Sequence, residues 1–460
     1  MLRAERYSMT FEEFGLQARL LENLAENGIT TPTPIQEKAI PLAMEGHDVM
    51  GLAQTGTGKT AAFGLPILHA MMKDGRRVES KVVRTLILAP TRELAKQIFE
   101  NLQTFCAGTH LKMALVTGGA GIVGQMRKLE KGVSVLVATP GRLLDLIDRN
   151  ALRLDATEFL VLDEADQMLD LGFIHQLRRI ATLLPHGRQT MLFSATMPKQ
   201  MEEIASSYLN KPQRVQVNPP GQTADKIEQS IHYVGKAAKF DLLVELLDQH
   251  RDDRALVFGR TKWGMEKLAR SLEAKGFGVA AIHGNKSQGQ RDRAIADFKA
   301  GKTRVLVATD VAARGIDIPD VRYVYNYELP NVPDQYVHRI GRTARAGNDG
   351  KAVAFCAPDE MGDLRDIQKT IKTEIPVASG RPWEKGEEKA AEPQQRNKRG
   401  GGGGGGQRRG APKAGGAPKQ GGKPQHRGGG AGKPAQRRAG GNPNAASKGG
   451  AASPRRRKAN

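Results

Sequence analysis

Apolar side chains come in short runs: Val49 to Ala53, Arg84 to Ala89, Lys112 to Thr117, Ser134 to Thr139, Glu158 to Asp163 and Thr190 to Ser194. Helical patterns separate them, and short buried runs alternating with helices predict a mostly parallel sheet covered on both faces. After Thr196 the pattern loosens, and Asn218-Pro219-Pro220-Gly221-Gln222-Thr223 reads as a linker. A second alternating segment begins near Ile227, with runs Arg254 to Phe258, Gly278 to Ile282, Arg304 to Thr309, Val321 to Tyr325 and Ala352 to Cys356. The expected fold class is α/β, two tandem domains with mostly parallel sheets. Ahead of the first run, Phe11, Phe14, Leu16, Leu20, Leu21 and Leu24 recur at helix-like spacing before Gly28. The expected boundaries are an N-terminal extension at 1–9, a first domain at 10–215, a linker at 216–226, a second domain at 227–378 and a tail at 379–460.

Composition separates the tail from the rest. From Arg381 onward there is no Leu, Ile, Val, Phe or Met, and 20 Lys/Arg face 4 Glu, so this stretch supplies +16 of the formal +21. Without apolar side chains to offset ordering entropy it is expected to be disordered, a basic Gly/Lys/Arg-rich tether for polyanions. Cys106 and Cys356 have neither metal-ligand nor disulfide-framework spacing and read as core residues. The N-terminus lacks an export-type apolar stretch and no window reaches about 18 apolar residues, so no membrane association and a cytoplasmic location are expected.

The polar clusters fall where the apolar runs end, the side on which parallel sheets bind ligands. Ala53-Gln54-Thr55-Gly56-Thr57-Gly58-Lys59-Thr60 has the form of a phosphate-binding loop, with Ala53 where Gly is usual. Glycines let backbone N–H groups close around phosphate, Lys59 reaches the β/γ-phosphates, and the Thr60 hydroxyl serves Mg2+. Thr31-Pro32-Thr33-Pro34-Ile35-Gln36 holds a Gln ahead of that loop, and Gln pairs bidentately with adenine; taken alone, an ordinary Pro-rich turn is the favoured reading of the segment. Asp163-Glu164 ends the run Phe159 to Leu162, the place for a magnesium carboxylate and a water-activating residue. Further clusters are Pro90-Thr91-Arg92-Glu93, Gly118-Gly119 and Thr139-Pro140-Gly141-Arg142. Capping chemistry accounts for any one of them, but not for the ordered set behind a phosphate loop.

The second segment has no Gly-Lys-Thr loop and reads as a partner lobe. It carries Ala308-Thr309-Asp310, Arg314-Gly315-Ile316-Asp317 and His338-Arg339-Ile340-Gly341-Arg342-Thr343-Ala344-Arg345. Arginines at 339, 342 and 345 recur every third residue, so at least two are expected to share a helical face. That face is either a solvated basic surface or a set of arginine fingers for a triphosphate held by the first lobe.

In this order the motifs resemble the DEAD-box RNA helicases, over roughly residues 10 to 375. The resemblance implies two RecA-like lobes, ATP on the first with Mg2+, RNA across both, and hydrolysis when they close. It implies Phe11 and Gln36 as adenine contacts, with Phe11 the main stacking candidate because Ile29 stands where Phe is usual. Thr55, Gly56, Thr57, Gly58, Lys59, Thr60, Asp163 and Glu164 then hold ATP and Mg2+, and Asp317 reaches the ribose. Ser194 and Thr196 couple hydrolysis to strand separation, and Arg342 and Arg345 are the fingers, with Ala344 replacing a common Gly at little expected cost. Implied RNA contacts are Pro90, Thr91, Arg92, Gly119, Thr139, Gly141 and Arg142, with Arg260, Gln288, Arg291, Thr309 and Asp310 in the second lobe. The short core and basic tail are most similar to the bacterial RhlE branch. The implied activity is RNA-stimulated ATP hydrolysis with local unwinding of short duplexes, and ribosomal or RNA-decay proteins are candidate partners. An ATP-controlled RNA clamp with little turnover, or a DNA helicase of the same superfamily, would use related motifs.

Overall fold

β-Branched and Leu-rich runs flanked by helices can bury both faces only as central strands of a layered sheet. The computed structural model, which describes residues 9–53, 56–217, 227–313, 318, 320–344 and 349–384, contains two such sheets. The first comprises β1 (Val49–Leu52), β2 (Val83–Leu88), β3 (Met113–Val116), β4 (Val133–Ala138), β5 (Phe159–Leu162), β6 (Gln189–Ser194) and β7 (Gln213–Gln216). The second comprises β8 (Ile227–Tyr233), β9 (Arg254–Gly259), β10 (Val279–Ile282), β11 (Val305–Thr309), β12 (Val321–Asn326), β13 (Gly350–Cys356) and β14 (Val377–Ser379).

Strand order is β3-β4-β2-β5-β6-β1-β7 in one sheet and β10-β11-β9-β12-β13-β8-β14 in the other. Adding seven to each number of the first order gives the second, and the pairings are parallel throughout both. The two lobes are therefore topological copies, both RecA-like. Each sheet is sandwiched between two apolar layers; Phe63, Ile87 and Phe193 lie under one face of the first, Leu86, Leu160 and Leu192 under the other. Every strand consequently delivers its C-terminal end, and the polar residues after it, to one edge of its lobe.

Three details depart from the sequence reading. The strands β7, β8 and β14 were not anticipated, because Gln213–Gln216 buries only Val215, Ile227–Tyr233 buries only Ile231 and His232, and Val377–Ser379 is exposed throughout. The expected domain boundary at 378 cuts β14, and the start of the expected tail is docked: the Trp383 indole N–H donates to the Cys356 carbonyl at 3.0 Å. The segment Asn218 to Thr223 and residues 385–460 lie outside the described residues. Among the described residues no helix is long and apolar enough to cross a membrane, and both cysteines are buried free thiols.

Candidate functional site

The first site is built where β1 ends. Gly58 takes φ +88° as the N-cap of helix Lys59–Asp74, a left-handed geometry that favours glycine. The Pro34–Met44 helix is tied to this loop: the Gln36 amide donates to the Gly58 carbonyl at 2.9 Å, and the Thr33 hydroxyl donates to the Thr57 carbonyl at 2.7 Å. The Gln36 carbonyl accepts from the Thr33 N–H at 2.9 Å, which fixes the amide's orientation. A Cβ on residue 58 would stand 2.4 Å from the Gln36 amide nitrogen, so glycine is needed there for space as well. Ile29, Gln36, Gly56, Gly58, Lys59 and Thr60 face Asp163 and Glu164 across a cleft of about 460 Å³, within the roughly 300–1,000 Å³ typical of small-molecule sites.

At the end of β5 the Asp163 carboxylate lies 3.6 Å from the Lys59 ammonium, both nearly buried. Burial pushes the Asp163 carboxyl up to about 6; Lys59 opposes this and Glu164 adds to it. Glu164 itself sits at φ +51°, a conformation costly for a residue with a Cβ, at the N-cap of helix Ala165–Asp170. Donors to a metal are oxygens only, the Thr60 hydroxyl and the two carboxylates. This suits Mg2+, which takes one or two protein carboxylates and keeps its remaining positions for water and phosphate. Among the described residues no group of three or more His, Cys, Asp or Glu forms a self-sufficient metal site.

Asp166, not singled out from sequence, is the hub of this end of the lobe. One of its carboxylate oxygens accepts from the Ala195 N–H at 3.1 Å, the Thr196 N–H at 2.9 Å and the Thr196 hydroxyl at 3.0 Å. The Ser194 hydroxyl donates to the Thr196 carbonyl at 2.7 Å. The Ser-Ala-Thr turn after β6 is thereby bound to the helix that follows Asp163-Glu164.

A second cleft, about 510 Å³, brings the two lobes together. Pro90, Thr91, Arg92, Thr139, Gly141 and Arg142 line it from the first lobe, Gln288 and Arg291 from the second. Gly118 lines it in place of the expected Gly119, which is exposed beside Arg92: at φ +79°, a Cβ on residue 119 would lie 2.1 Å from an Arg92 guanidinium nitrogen. Arg92 donates to the Gln288 carbonyl at 3.2 Å. Glu93, quoted in its motif without a role of its own, accepts from the Gln288 amide at 2.9 Å and lies 3.2 Å from the Arg291 guanidinium. Lys286 and Val311 also line the cleft and were not anticipated.

Several expectations are corrected. Phe11 is 2% exposed, packed edge-on against Phe14 in the core, and Ile29 takes the place on the cleft wall that was expected of it. An aromatic ring with an apolar layer beside it partitions there. Arg260 is turned away from the inter-lobe cleft, donating to the Leu329 carbonyl and to Asp363 at 2.6 Å. Thr309 is buried at the end of β11, and the Asp310 carboxylate is claimed by the fully buried Arg339, whose guanidinium also donates to Asn326 and the Glu328 carbonyl and lies over Phe258. The helix Pro333–Ile340 stops at Gly341, so Arg339 lies in its last turn and Arg342 in the turn beyond, yet both are buried and both line one small cavity. Arg342 lines a small second-lobe cavity with His338 and Asp310 rather than the first-lobe cleft. Ala344 has φ +55°, so its substitution for Gly costs more than expected. Thr55, Asp317 and Arg345 lie outside the described residues.

Residues 33–204 match the DEAD/DEAH box helicase family and residues 238–347 the helicase conserved C-terminal domain. The ATP-dependent RNA helicase CshA of Listeria monocytogenes is 46% identical over 374 residues, spanning 81% of this chain and 71% of that protein. The DEAD-box ATP-dependent RNA helicase CshA of Geobacillus kaustophilus is 44% identical over 366 residues, spanning 80% and 77%. Among solved structures, S. cerevisiae Dbp5 bound to RNA and ADP BeF3 superposes with a TM-score of 0.71 at 34% identity, covering 80% of this chain and 95% of that one. Mss116p bound to ssRNA and AMP-PNP gives 0.73 at 28% identity, covering 83% and 81%.

Proposed function

The chain belongs to the DEAD/DEAH box helicase family, and from that premise we propose that it is an ATP-dependent RNA helicase whose RNA-stimulated ATP hydrolysis drives local unwinding of short duplexes or ribonucleoprotein remodelling. The observation that carries the reading is the inter-lobe cleft, where Arg92 and Arg142 of one lobe meet Gln288 and Arg291 of the other. A strand that bridges these groups binds best when the lobes are apposed, which makes RNA a ligand that selects the closed arrangement. Backbone and hydroxyl groups at Pro90, Thr91, Thr139 and Gly141 suit phosphate and 2′-OH contacts without reading sequence.

In the first-lobe cleft Gln36 reads adenine and reports to the phosphate loop through Gly58; Lys59 holds the β/γ-phosphates, and Glu164 polarises the attacking water. Thr60 and Asp163 would hold Mg2+ largely through water, and the bound ion would supply positive charge to the phosphates. Ser194 and Thr196, through Asp166, couple that centre to the RNA cleft. Arg342 and Arg345 act as fingers from the second lobe in the closed arrangement, and Asp317 reaches the ribose. The boundaries 10–215 and 227–378, the basic tail as an RNA tether, a cytoplasmic location in keeping with two buried free cysteines, and ribosomal or RNA-decay proteins as partners belong to the same proposal. So does an RhlE-like branch, which rests on the tail; the Listeria and Geobacillus relatives are CshA proteins. Steady-state ATPase activity with RNA, with DNA and with neither tests the reading: RNA alone is expected to stimulate, and equal stimulation by DNA would overturn the RNA assignment.

A further inference from the structure

Tryptophan is scarce here, two residues in 460, and they are used oppositely. Trp383 is docked, its indole N–H bonded to the Cys356 carbonyl. Trp263 is 70% exposed, the most exposed of the large apolar side chains among the described residues. A solvated indole with no packing role invites a partner with an apolar face.

Its surroundings say which. Trp263 opens the helix Lys262–Ala274, which follows β9 and is N-capped by the Thr261 hydroxyl accepting from the Gly264 N–H at 3.0 Å. It therefore stands at the C-terminal edge of the second sheet, the edge that also carries the cleft. One turn along, Glu266 accepts from His283 at 2.9 Å and pairs with Lys286 at 2.8 Å, and Lys286 lines the inter-lobe cleft. Those bonds hold the Glu266 carboxyl down at about 2, so Glu266 is ionised at neutral pH. Beside the indole, the Lys262 ammonium lies 6.0 Å from the ring centroid. A rigid exposed aromatic flanked by Lys262, on a helix clamped to the wall of a cleft that carries Arg92, Arg142, Lys286 and Arg291, is the combination that binds single strands: a stacking face for a base with a cation for its phosphate.

We propose that Trp263 is a stacking platform for an unpaired base of an RNA strand continuing past the inter-lobe cleft over the second lobe, with Lys262 contacting the adjoining phosphate. This rests on the RNA reading of the cleft and adds a base contact to contacts that otherwise go to the backbone. Stacking tolerates any base, so the platform lengthens the bound strand without conferring sequence specificity.

Intrinsic fluorescence reads the platform directly. In a full-length Trp383→Phe protein the indole at 263 is the sole tryptophan, and under tryptophan-selective excitation titration with a fluorophore-free oligouridine is expected to quench it at the concentration where a labelled copy of the same RNA gains anisotropy. Trp263→Ala in the otherwise unaltered chain is expected to weaken RNA binding roughly 5- to 100-fold, Trp263→Phe to weaken it less, with ATP affinity unchanged. Binding and ATPase stimulation by RNA without quenching, and with the Trp263→Ala affinity equal to wild type, would overturn the platform and leave the RNA reading standing. Failure of the unaltered chain to bind RNA at all would overturn both.

Discussion

Asp166→Asn should uncouple the first lobe at a cost large enough to measure as stability. Asp166 is 4% exposed, and its two oxygens serve four donors: the Ala195 N–H, the Thr196 N–H and hydroxyl on one, the Gln167 N–H at 3.0 Å on the other. An asparagine fits the space but has one acceptor oxygen. Turned toward the Ser-Ala-Thr turn, it keeps three bonds while exchanging charge-assisted for neutral ones, about 1 kcal/mol each, and sets its NH2 against the Gln167 N–H, about 1–3 kcal/mol more. The sum is about 4–6 kcal/mol as an upper range, because the turn can relax. For a lobe of this size 1 kcal/mol moves the melting temperature by about 2–4 °C, so the variant should melt lower by several degrees, up to about 8–24 °C. Differential scanning calorimetry reads this, and a double-mutant cycle with Thr196→Val should return a coupling of at least about 0.5 kcal/mol. A melting temperature within a degree of the parent, or no coupling, would show that Asp166 is not the hub. Where the variant stays folded at assay temperature, duplex unwinding should fall more than ATP hydrolysis.

Other perturbations follow from the same geometry. Arg342→Ala should depress ATP hydrolysis by about 10³- to 10⁵-fold with ATP affinity little changed, because the group acts in the closed arrangement; an equal loss of ATP affinity measured by equilibrium binding would argue against the finger role. Ala344→Gly should raise the urea midpoint by about 0.5–1 kcal/mol equivalent, since relief of a left-handed alanine, about 1–2 kcal/mol, exceeds glycine's added chain entropy; a lowered midpoint contradicts the backbone argument. Truncation after Glu384, which spares the docked Trp383, should leave ATP binding intact, weaken RNA binding and flatten its log–log salt slope by about 0.7 for each phosphate that the tail no longer neutralises. An unchanged slope would show that the tail does not touch RNA.

Most central strands were legible because both faces are buried and burial writes continuous apolar runs; β7 and β14 were illegible because an edge strand with one or no buried residue leaves no such trace, and β8 because only two of its seven residues are buried. The polar clusters were legible as positions, since a parallel sheet sends every strand end to one edge. Individual roles were less so. Spacing alone could not tell Arg339 from Arg342: both are buried, but Arg339 is claimed by Asp310, Asn326 and the Glu328 carbonyl, whereas Arg342 follows the helix end at Gly341 and donates to the His338 carbonyl. Phe11 and Arg260 were misplaced for a related reason, since sequence gives no account of the nearer partner, an apolar layer for one and Asp363 with the Leu329 carbonyl for the other. Asp166 had a signal, an acidic residue three past Asp163, but its partners are about thirty positions away in the chain.

The shared strand order of the two sheets bears on how many nucleotides one chain can work on. In the first lobe the helix after β1 begins with Lys59, and in the second the helix after β8 begins with Lys239. Lys239 is satisfied internally, its ammonium donating to the Tyr327 and Phe355 carbonyls and pairing with Glu360. One repeat thus keeps its lysine on the wall of a cleft that an anion can enter, and the other has sealed its counterpart with a carboxylate of its own. A symmetric pair would carry two equivalent sites and the potential for cooperativity between them. With one counterpart sealed, the expected titration result is one nucleotide per polypeptide with a hyperbolic dependence on ATP.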